Sequence, residues 1–137
     1  MPASAALIPR SLTDHVVIVG VGLIGGSIAR ALKARGLSGK ITGLGRNRER
    51  LLAAQEAGLL DAVATSASEL EPFSLAIVCT PVDRIPDDVR DLLAVAPASA
   101  LITDAGSVKA RIVPVLGKDR NPTVVSGRNC VRPVYRQ

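Results

Sequence analysis

Short apolar runs alternate along this chain with stretches in which apolar residues recur every three or four positions. The runs are typical of strands buried on both faces of a sheet, and the recurring pattern is typical of amphipathic helices. Strands are predicted at 15–19, 40–44, 61–64, 75–79, 100–104 and 123–125. Helices are predicted at 25–35, at 47–57, from residue 86 onward, and at 107–116.

Strands and helices that alternate through short connections favour parallel pairing with right-handed crossovers. The predicted fold class is therefore α/β: a doubly wound, mostly parallel sheet with helices on both faces. In the first helix, Ile24, Ile28 and Leu32 fall on one side, which predicts its buried face. Gly36 is placed to end that helix.

The composition indicates a core built almost entirely from aliphatic side chains. Hydrophobic residues make up 47% of the 137 residues, but the aromatic residues are only Phe73 and Tyr135. This argues against modules that stack single-stranded nucleic acid on aromatic rings. The net charge of +5 does not make nucleic acid the expected partner, because five basic residues and one acid lie from residue 114 onward.

One domain is expected over residues 13–125, with a flexible leader at 1–12 and an irregular basic tail at 126–137. The leader has no sustained apolar stretch, so we expect neither a signal peptide nor a membrane span. Cys79 and Cys130 are too few and too far apart for a disulfide framework or a zinc site, and no metal is expected. These features predict a cytoplasmic protein.

A glycine motif follows the first predicted strand at once and opens the first predicted helix. Its sequence, Gly20-Val-Gly-Leu-Ile-Gly25, matches the G-x-G-x-x-G pattern of Rossmann-type dinucleotide-binding sheets. Gly20 permits the tight turn, Gly22 lets a pyrophosphate approach the backbone, and Gly25 lets helix and strand pack closely. The N–H groups of the first turn, with Leu23 and Ile24, are expected to hold the anion. A glycine-rich turn needed only for packing is the alternative.

A basic segment stands where an NAD-binding sheet commonly has an acid. That acid lies about 20 residues beyond the motif and binds the ribose hydroxyl. Here the position is Gly45, and Arg46, Asn47, Arg48 and Arg50 follow it. The helix dipole disfavours cations at the start of a helix, and a bound 2′-phosphate would relieve that cost. NADP is therefore favoured over NAD. A solvated basic turn is the alternative, and Asn47 could cap the helix instead of contacting phosphate.

Two further turns lie at the carboxyl ends of predicted strands, the edge at which open α/β sheets bind ligands. Cys79, Thr80 and Pro81 end the fourth strand and are expected to face the ribose and nicotinamide half of a dinucleotide. Cys79 is expected to be a buried small residue and not a nucleophile. Ser107 begins the helix after the fifth strand, where the residues alone favour an N-cap. His15 begins the first strand, at the opposite edge, so a structural or solvated role is expected.

Three ordered segments together resemble the cofactor domain of the prephenate/arogenate dehydrogenase family. They are 16–27, which contains Gly-Leu-Ile-Gly-Gly-Ser, 78–82 (Val-Cys-Thr-Pro-Val) and 103–109 (Thr-Asp-Ala-Gly-Ser-Val-Lys). The resemblance implies an NAD(P)-dependent oxidative decarboxylation of prephenate or arogenate in tyrosine synthesis. Hydride passes to the nicotinamide, and carbon dioxide is lost as the ring aromatises. The resemblance also implies that Ser107 contacts the catalytic histidine and the substrate hydroxyl.

Two departures from the family pattern affect this expectation. The family has a His-Pro segment after the sixth strand, whereas residues 124–129 read Val-Val-Ser-Gly-Arg-Asn. The family also has a following helical domain, which forms the homodimer and closes the site on the small-molecule substrate; we expect that domain to be absent here. Our hypothesis is a truncated chain, with or without a frame shift before its last segment, that is inactive alone. The alternatives are another NAD(P)-dependent reductase and a non-catalytic dinucleotide-binding regulatory module.

Overall fold

A single six-stranded sheet forms the centre of the structure, a computed structural model that describes residues 13–105 and 123–126. The strands are β1 (His15–Val19), β2 (Lys40–Leu44), β3 (Ala62–Ala64), β4 (Leu75–Val78), β5 (Leu101–Asp104) and β6 (Thr123–Ser126). The helices within the described ranges are α1 (Leu23–Ala34), α2 (Arg48–Glu56), α3 (Ile85–Val95) and a 3₁₀ turn at Ala67–Glu69. The predicted helix at 107–116, the leader at 1–12 and all of the tail except Ser126 lie outside the described residues.

The strand order is β3-β2-β1-β4-β5-β6, and every pairing is parallel. From β1 the chain moves outward through β2 to β3, and it then returns to β4 on the other side of β1. The order therefore reverses at the boundary between β1 and β4. In open parallel sheets, this reversal leaves a crevice at the carboxyl ends of the two central strands.

Alternate side chains of the fully buried strand β1 pack on opposite faces of the sheet. One face packs against α1 and α2 in a cluster that includes Val16, Ile18, Ala29 and Leu51. The other face packs against α3 in a cluster that includes Val17, Val19, Phe73, Val89 and Leu92. Helices thus cover both faces, which confirms the predicted doubly wound α/β fold.

The predicted boundaries of the elements hold to within about two residues where the structure describes them. The strands predicted at 61–64, 75–79 and 100–104 each lose one terminal residue, and β6 extends one residue beyond its predicted end. Gly36, at φ +61°, follows α1 in the left-handed conformation expected at a helix end. Within 13–105 and 123–126, no helix is long and apolar enough to cross a membrane.

The predicted buried face of α1 is wrong at its first turn. Ile24 is 55% exposed, and the buried positions of the helix are Gly25 and Ala29. Ile28 and Leu32 do pack against the core, but only in part. The helix approaches the sheet so closely at its start that a side chain there has no room, and the apolar periodicity could not reveal that approach.

Asp61 joins α1, β2 and the start of β3 at the amino-terminal edge of the sheet. Its Oδ2 accepts a hydrogen bond from the Ile41 N–H at 2.8 Å, and its Oδ1 accepts one from Lys33 Nζ at 2.6 Å. Partial burial acts to raise the pKa of Asp61, but the bonds from Lys33 and Ile41 outweigh it and hold the pKa below the ordinary value of 3.8. The folded state therefore favours the charged carboxylate.

We expect Asp61→Asn to lower the free energy of unfolding by about 1 kcal/mol at neutral pH, because the groups involved are partly solvated. A depressed folded-state pKa contributes stability above the unfolded pKa and loses it as the pH falls through the folded one. The difference from the unmodified chain should therefore shrink below pH 3.8. Urea denaturation at neutral pH and at about pH 3 measures this. Glu56→Gln, at an exposed acid of α2, is the control; a difference that stays constant with pH contradicts the account.

Candidate functional site

The carboxyl ends of β1, β2, β3 and β4 border an open cleft of about 450 Å³. Its floor is formed by the glycine turn after β1 and by the ends of the neighbouring strands. One wall is the turn between β2 and α2, and the opposite wall is the first half of α3. The cleft thus occupies the crevice created by the reversal of strand order.

The three motif glycines have different surroundings. Gly20 has φ +84°, and a Cβ added there would lie 2.9 Å from Thr80 Cγ2. A Cβ on Gly25 would lie 2.3 Å from the backbone oxygen of Gly20, which no side chain can tolerate. A Cβ on Gly22 would meet nothing within 4 Å, because this residue borders the open cleft. Gly20 and Gly25 therefore serve the fold, and Gly22 keeps the floor of the cleft bare.

The first turn of α1 supplies backbone donors at the glycine turn. Gly22 is the N-cap and makes no side-chain cap bond, and the first bond of the helix runs from the Gly26 N–H to the Gly22 oxygen at 2.8 Å. The N–H groups of residues 23–25 have no acceptor within the helix, which is the usual anion-binding arrangement. The side chains of Leu23 and Ile24 are 90% and 55% exposed and do not line the cleft. Of Leu23 and Ile24, only the backbone is placed to contact an anion in the cleft.

The basic segment supplies two of its three arginines to the cleft. Arg46 and Arg50 line the wall, whereas Arg48 is exposed and does not line it. Arg48 lies about 200° around the helix from Arg50, since each residue of an α-helix turns it by about 100°. Asn47 also lines the wall, but its Oδ1 accepts a bond from the Arg50 N–H at 3.1 Å. Asn47 is thus the N-cap of α2, the second of its two predicted roles.

The turn after β4 packs directly on the glycine turn. The Cys79 N–H donates to the Val19 oxygen at 2.7 Å, which holds this turn beside the end of β1. Cys79, Thr80 and Pro81 all line the cleft. Burial, reinforced by the negative charge of Asp104, raises the pKa of the Cys79 thiol to about 11. The thiol stays protonated at neutral pH, which is unfavourable for a nucleophile, but the residue is only partly buried, whereas a buried one was predicted.

His15 lies at the opposite, amino-terminal edge of the sheet, as predicted. Its Nδ1 is 2.8 Å from the Pro72 backbone oxygen, and its Nε2 is 2.8 Å from Thr42 Oγ1. Because a carbonyl oxygen only accepts, Nδ1 donates to Pro72, and Nε2 forms the second bond with the Thr42 hydroxyl. The ring is 7% exposed and ties β1 to β2. Ser107, the predicted catalytic residue, lies outside the described residues.

Two parts of the cleft were not predicted from the sequence. Thr65, Ser66 and Ala67 follow β3 and line the cleft. The rule that ligands bind at the carboxyl ends of strands could have predicted their place there. The α3 wall has no comparable signal in the sequence. Its polar lining residues are Arg84, Asp87, Asp88 and Asp91. They reach the cleft because α3 begins beside it, which depends on how the helix packs.

Within the described ranges, no group of three or more histidine, cysteine, aspartate or glutamate side chains is arranged to hold a metal ion. The donors at the cleft are instead backbone N–H groups, arginine guanidinium groups and hydroxyl groups. This set suits a phosphorylated organic ligand that is bound by hydrogen bonds and charge.

Comparisons with known proteins agree with this geometry. The sequence model of the family described as "Prephenate dehydrogenase, nucleotide-binding domain" matches residues 28–129. A prephenate dehydrogenase from Bacillus subtilis (strain 168) is 34% identical over 106 residues, which are 76% of this chain and 29% of that protein.

Solved structures give the same family. The crystal structure of prephenate dehydrogenase from A. aeolicus, in complex with hydroxyphenyl propionate and NAD+, is 30% identical with a TM-score of 0.74. The match covers 85% of this chain and 42% of that one. Synechocystis arogenate dehydrogenase is 30% identical with a TM-score of 0.70, over 76% of this chain and 37% of that one. The chain thus spans less than half the length of these relatives.

The family model covers most of the sheet and the segments that follow β4 and β5. The structural matches extend the likeness to the arrangement of the whole domain. On this basis, the chain belongs to the family of prephenate dehydrogenase nucleotide-binding domains, a family of NAD(P)-dependent dehydrogenases.

Proposed function

We propose that this chain binds NADP(H) and is the cofactor-binding part of an enzyme that oxidatively decarboxylates prephenate or arogenate. The observation that carries the proposal is the cleft at the reversal of strand order, with a bare glycine floor and a basic wall. The proposed domain is residues 13–125. When bound, NADP+ would supply the acceptor for the substrate's hydride.

The residues at the cleft fit a dinucleotide in two places. The N–H groups of residues 23–25 are available to a pyrophosphate, and the bare α-carbon of Gly22 lets it come close. The turn of Cys79, Thr80 and Pro81 borders the same cleft on the β4 side. These residues would bind and orient the cofactor without themselves exchanging protons or electrons.

The preference for NADP over NAD rests on the wall after β2. Gly45 provides no carboxylate for a ribose 2′-hydroxyl, and Arg46 and Arg50 line the cleft beside it. Within the described part of the chain, neither arginine forms an ion pair with a carboxylate. A 2′-phosphate would provide both guanidinium groups with charged hydrogen-bond acceptors.

Ser107 is the proposed contact to the substrate, because the family resemblance gives it that role. It follows β5 by three residues in the sequence, and β5 ends at the same edge of the sheet as the cleft. The sequence at 124–129 has no histidine, which favours a second candidate function, a dinucleotide-binding module without catalysis. Turnover of prephenate or arogenate by the chain would exclude this second function.

We expect the chain to bind NADPH more tightly than NADH. The double change Gly45→Asp with Arg46→Ala should shift relative binding toward NADH by about 2–4 kcal/mol, because it restores an acid and removes a charged bond. An added Cβ at Gly45 would lie 3.7 Å from Leu51 Cδ2, an ordinary contact, so the new side chain has room. Fluorescence titration with each reduced cofactor measures the shift.

Arg48→Ala is the charge-matched control for this test, since it removes a cation from the same segment but not from the cleft. Its ratio of NADPH to NADH affinity should stay near that of the unmodified chain. A chain that prefers NADH from the start contradicts the assignment of the basic wall. If Arg48→Ala and Arg46→Ala changed the ratio of NADPH to NADH affinity equally, the arginines would act only by general attraction of the charged cofactor.

We expect Gly22→Ala to abolish NADPH binding and leave the Tm of the cofactor-free chain unchanged, because its methyl group enters only the open cleft. Gly25→Ala should instead lower the stability by about 1–3 kcal/mol or more, because its methyl group meets the Gly20 backbone. Thermal melts and NADPH titrations of both variants test this contrast. Normal binding by Gly22→Ala would remove the glycine turn from the proposed site.

We expect the chain alone to show little or no turnover of prephenate or arogenate with NADP+, even where it binds the cofactor. General acid–base groups contribute about 10²–10⁴ in rate, and the family's histidine is missing at 124–129. The production of reduced cofactor, followed by absorbance, is the assay. Clear turnover that Ser107→Ala abolishes would show that a complete catalytic site is present.

A further inference from the structure

Thr80 stands between the glycine turn and α3, and its two branches serve different neighbours. Its methyl carbon Cγ2 lies over Gly20, where it would be 2.9 Å from an added Cβ. Its hydroxyl donates to Asp88 Oδ2 at 2.6 Å. The orientation of this one side chain therefore sets both the contact with the glycine turn and the contact with α3.

Asp88 is held firmly by the helix that carries it. The side chain is 15% exposed, and the neighbouring helical residues Ile85 and Val89 are completely buried. Its Oδ1 also lies 3.9 Å from Arg84 Nη2. Asp88 lies in the first turn of α3, where the helix dipole favours an acid. The carboxylate of Asp88 is directed toward Thr80.

The short bond to a charged acceptor selects one rotamer of Thr80. A threonine can exchange the positions of its methyl and hydroxyl groups by rotation about χ1. A hydrogen bond to a carboxylate is stronger than one to a neutral group, so it opposes that exchange. Without the Asp88 carboxylate, the methyl group is no longer required to lie on Gly20.

We propose that Asp88 is a positioning residue of the dinucleotide site. Through Thr80 Oγ1, it holds the Thr80 methyl group against Gly20 and thereby fixes the spacing of the two turns that flank the cleft between β1 and β4. This inference rests on the proposed function, because it assigns a role within the same cofactor site. Asp88 acts through Thr80 and need not contact the cofactor.

The test compares NADPH affinity and cofactor-free Tm for variants of the full 137-residue chain. Asp88→Ala should weaken NADPH binding about tenfold, an effect of the size found between contacting residues. Asp88→Asn should recover most of the affinity, because its amide oxygen can accept the same bond from Thr80. Asp83→Asn, at an exposed acid of the same segment that does not line the cleft, should bind as the unmodified chain does.

A double-mutant cycle separates positioning from general stabilisation of the fold. Thr80→Val keeps the shape and removes the hydroxyl, so it should weaken binding to a degree similar to Asp88→Ala. The double variant should bind NADPH no more weakly than the single variant with the lower affinity, because both changes break the same hydrogen bond. Losses of NADPH affinity that add in the double variant would overturn the inference. So would losses of affinity that parallel a lower Tm and are not recovered in Asp88→Asn.

The outcomes also distinguish this inference from the proposed function. If the unmodified chain does not bind NADPH, the proposed function fails and the role of Asp88 fails with it. If the unmodified chain binds NADPH and folded Asp88→Ala binds equally well, only the positioning role is wrong. Should Asp88→Ala not fold, Thr80→Val and Asp88→Asn provide the same comparison, since normal binding by Thr80→Val also overturns the role.

Discussion

The close approach of α1 to the end of β1 is the constraint on which the rest of the site depends. A Cβ on Gly25 would be 2.3 Å from the Gly20 oxygen, so the helix can begin there only without a side chain. Gly20, at φ +84°, turns the chain sharply into that helix. Together they place the free N–H groups of the first turn at the edge where the strand order reverses. The bare floor at Gly22 is not required by this packing, because a Cβ there would meet nothing within 4 Å.

The two walls of the cleft have opposite chemical character. The wall after β2 presents Arg46 and Arg50, whereas the α3 wall presents Arg84 together with the three carboxylates of Asp87, Asp88 and Asp91. Of these, Asp88 accepts a hydrogen bond from the Thr80 hydroxyl. This asymmetry favours one orientation of a phosphorylated ligand, with its extra phosphate toward the basic wall. The thiol of Cys79, raised in pKa by burial, adds no anion to the floor at neutral pH.

The sequence predicted the centre of the sheet well because β1 and β4 are short, clearly bounded apolar runs. It predicted the glycine turn because that motif is local. It failed at Ile24, because the direction of that side chain depends on how closely its helix begins to the sheet. The bond between Thr80 and Asp88 was not predictable, since it joins residues on two sides of a turn whose shape depends on the packing of α3.

The most direct test of the account is a crystal structure of this chain with NADP+. The account requires the pyrophosphate to lie on the N–H groups of residues 23–25, over Gly22, and the 2′-phosphate to contact Arg46 and Arg50. Thr80 should keep its hydroxyl on Asp88. A dinucleotide bound outside this cleft, or one whose 2′-phosphate contacts neither arginine, would contradict the central claim.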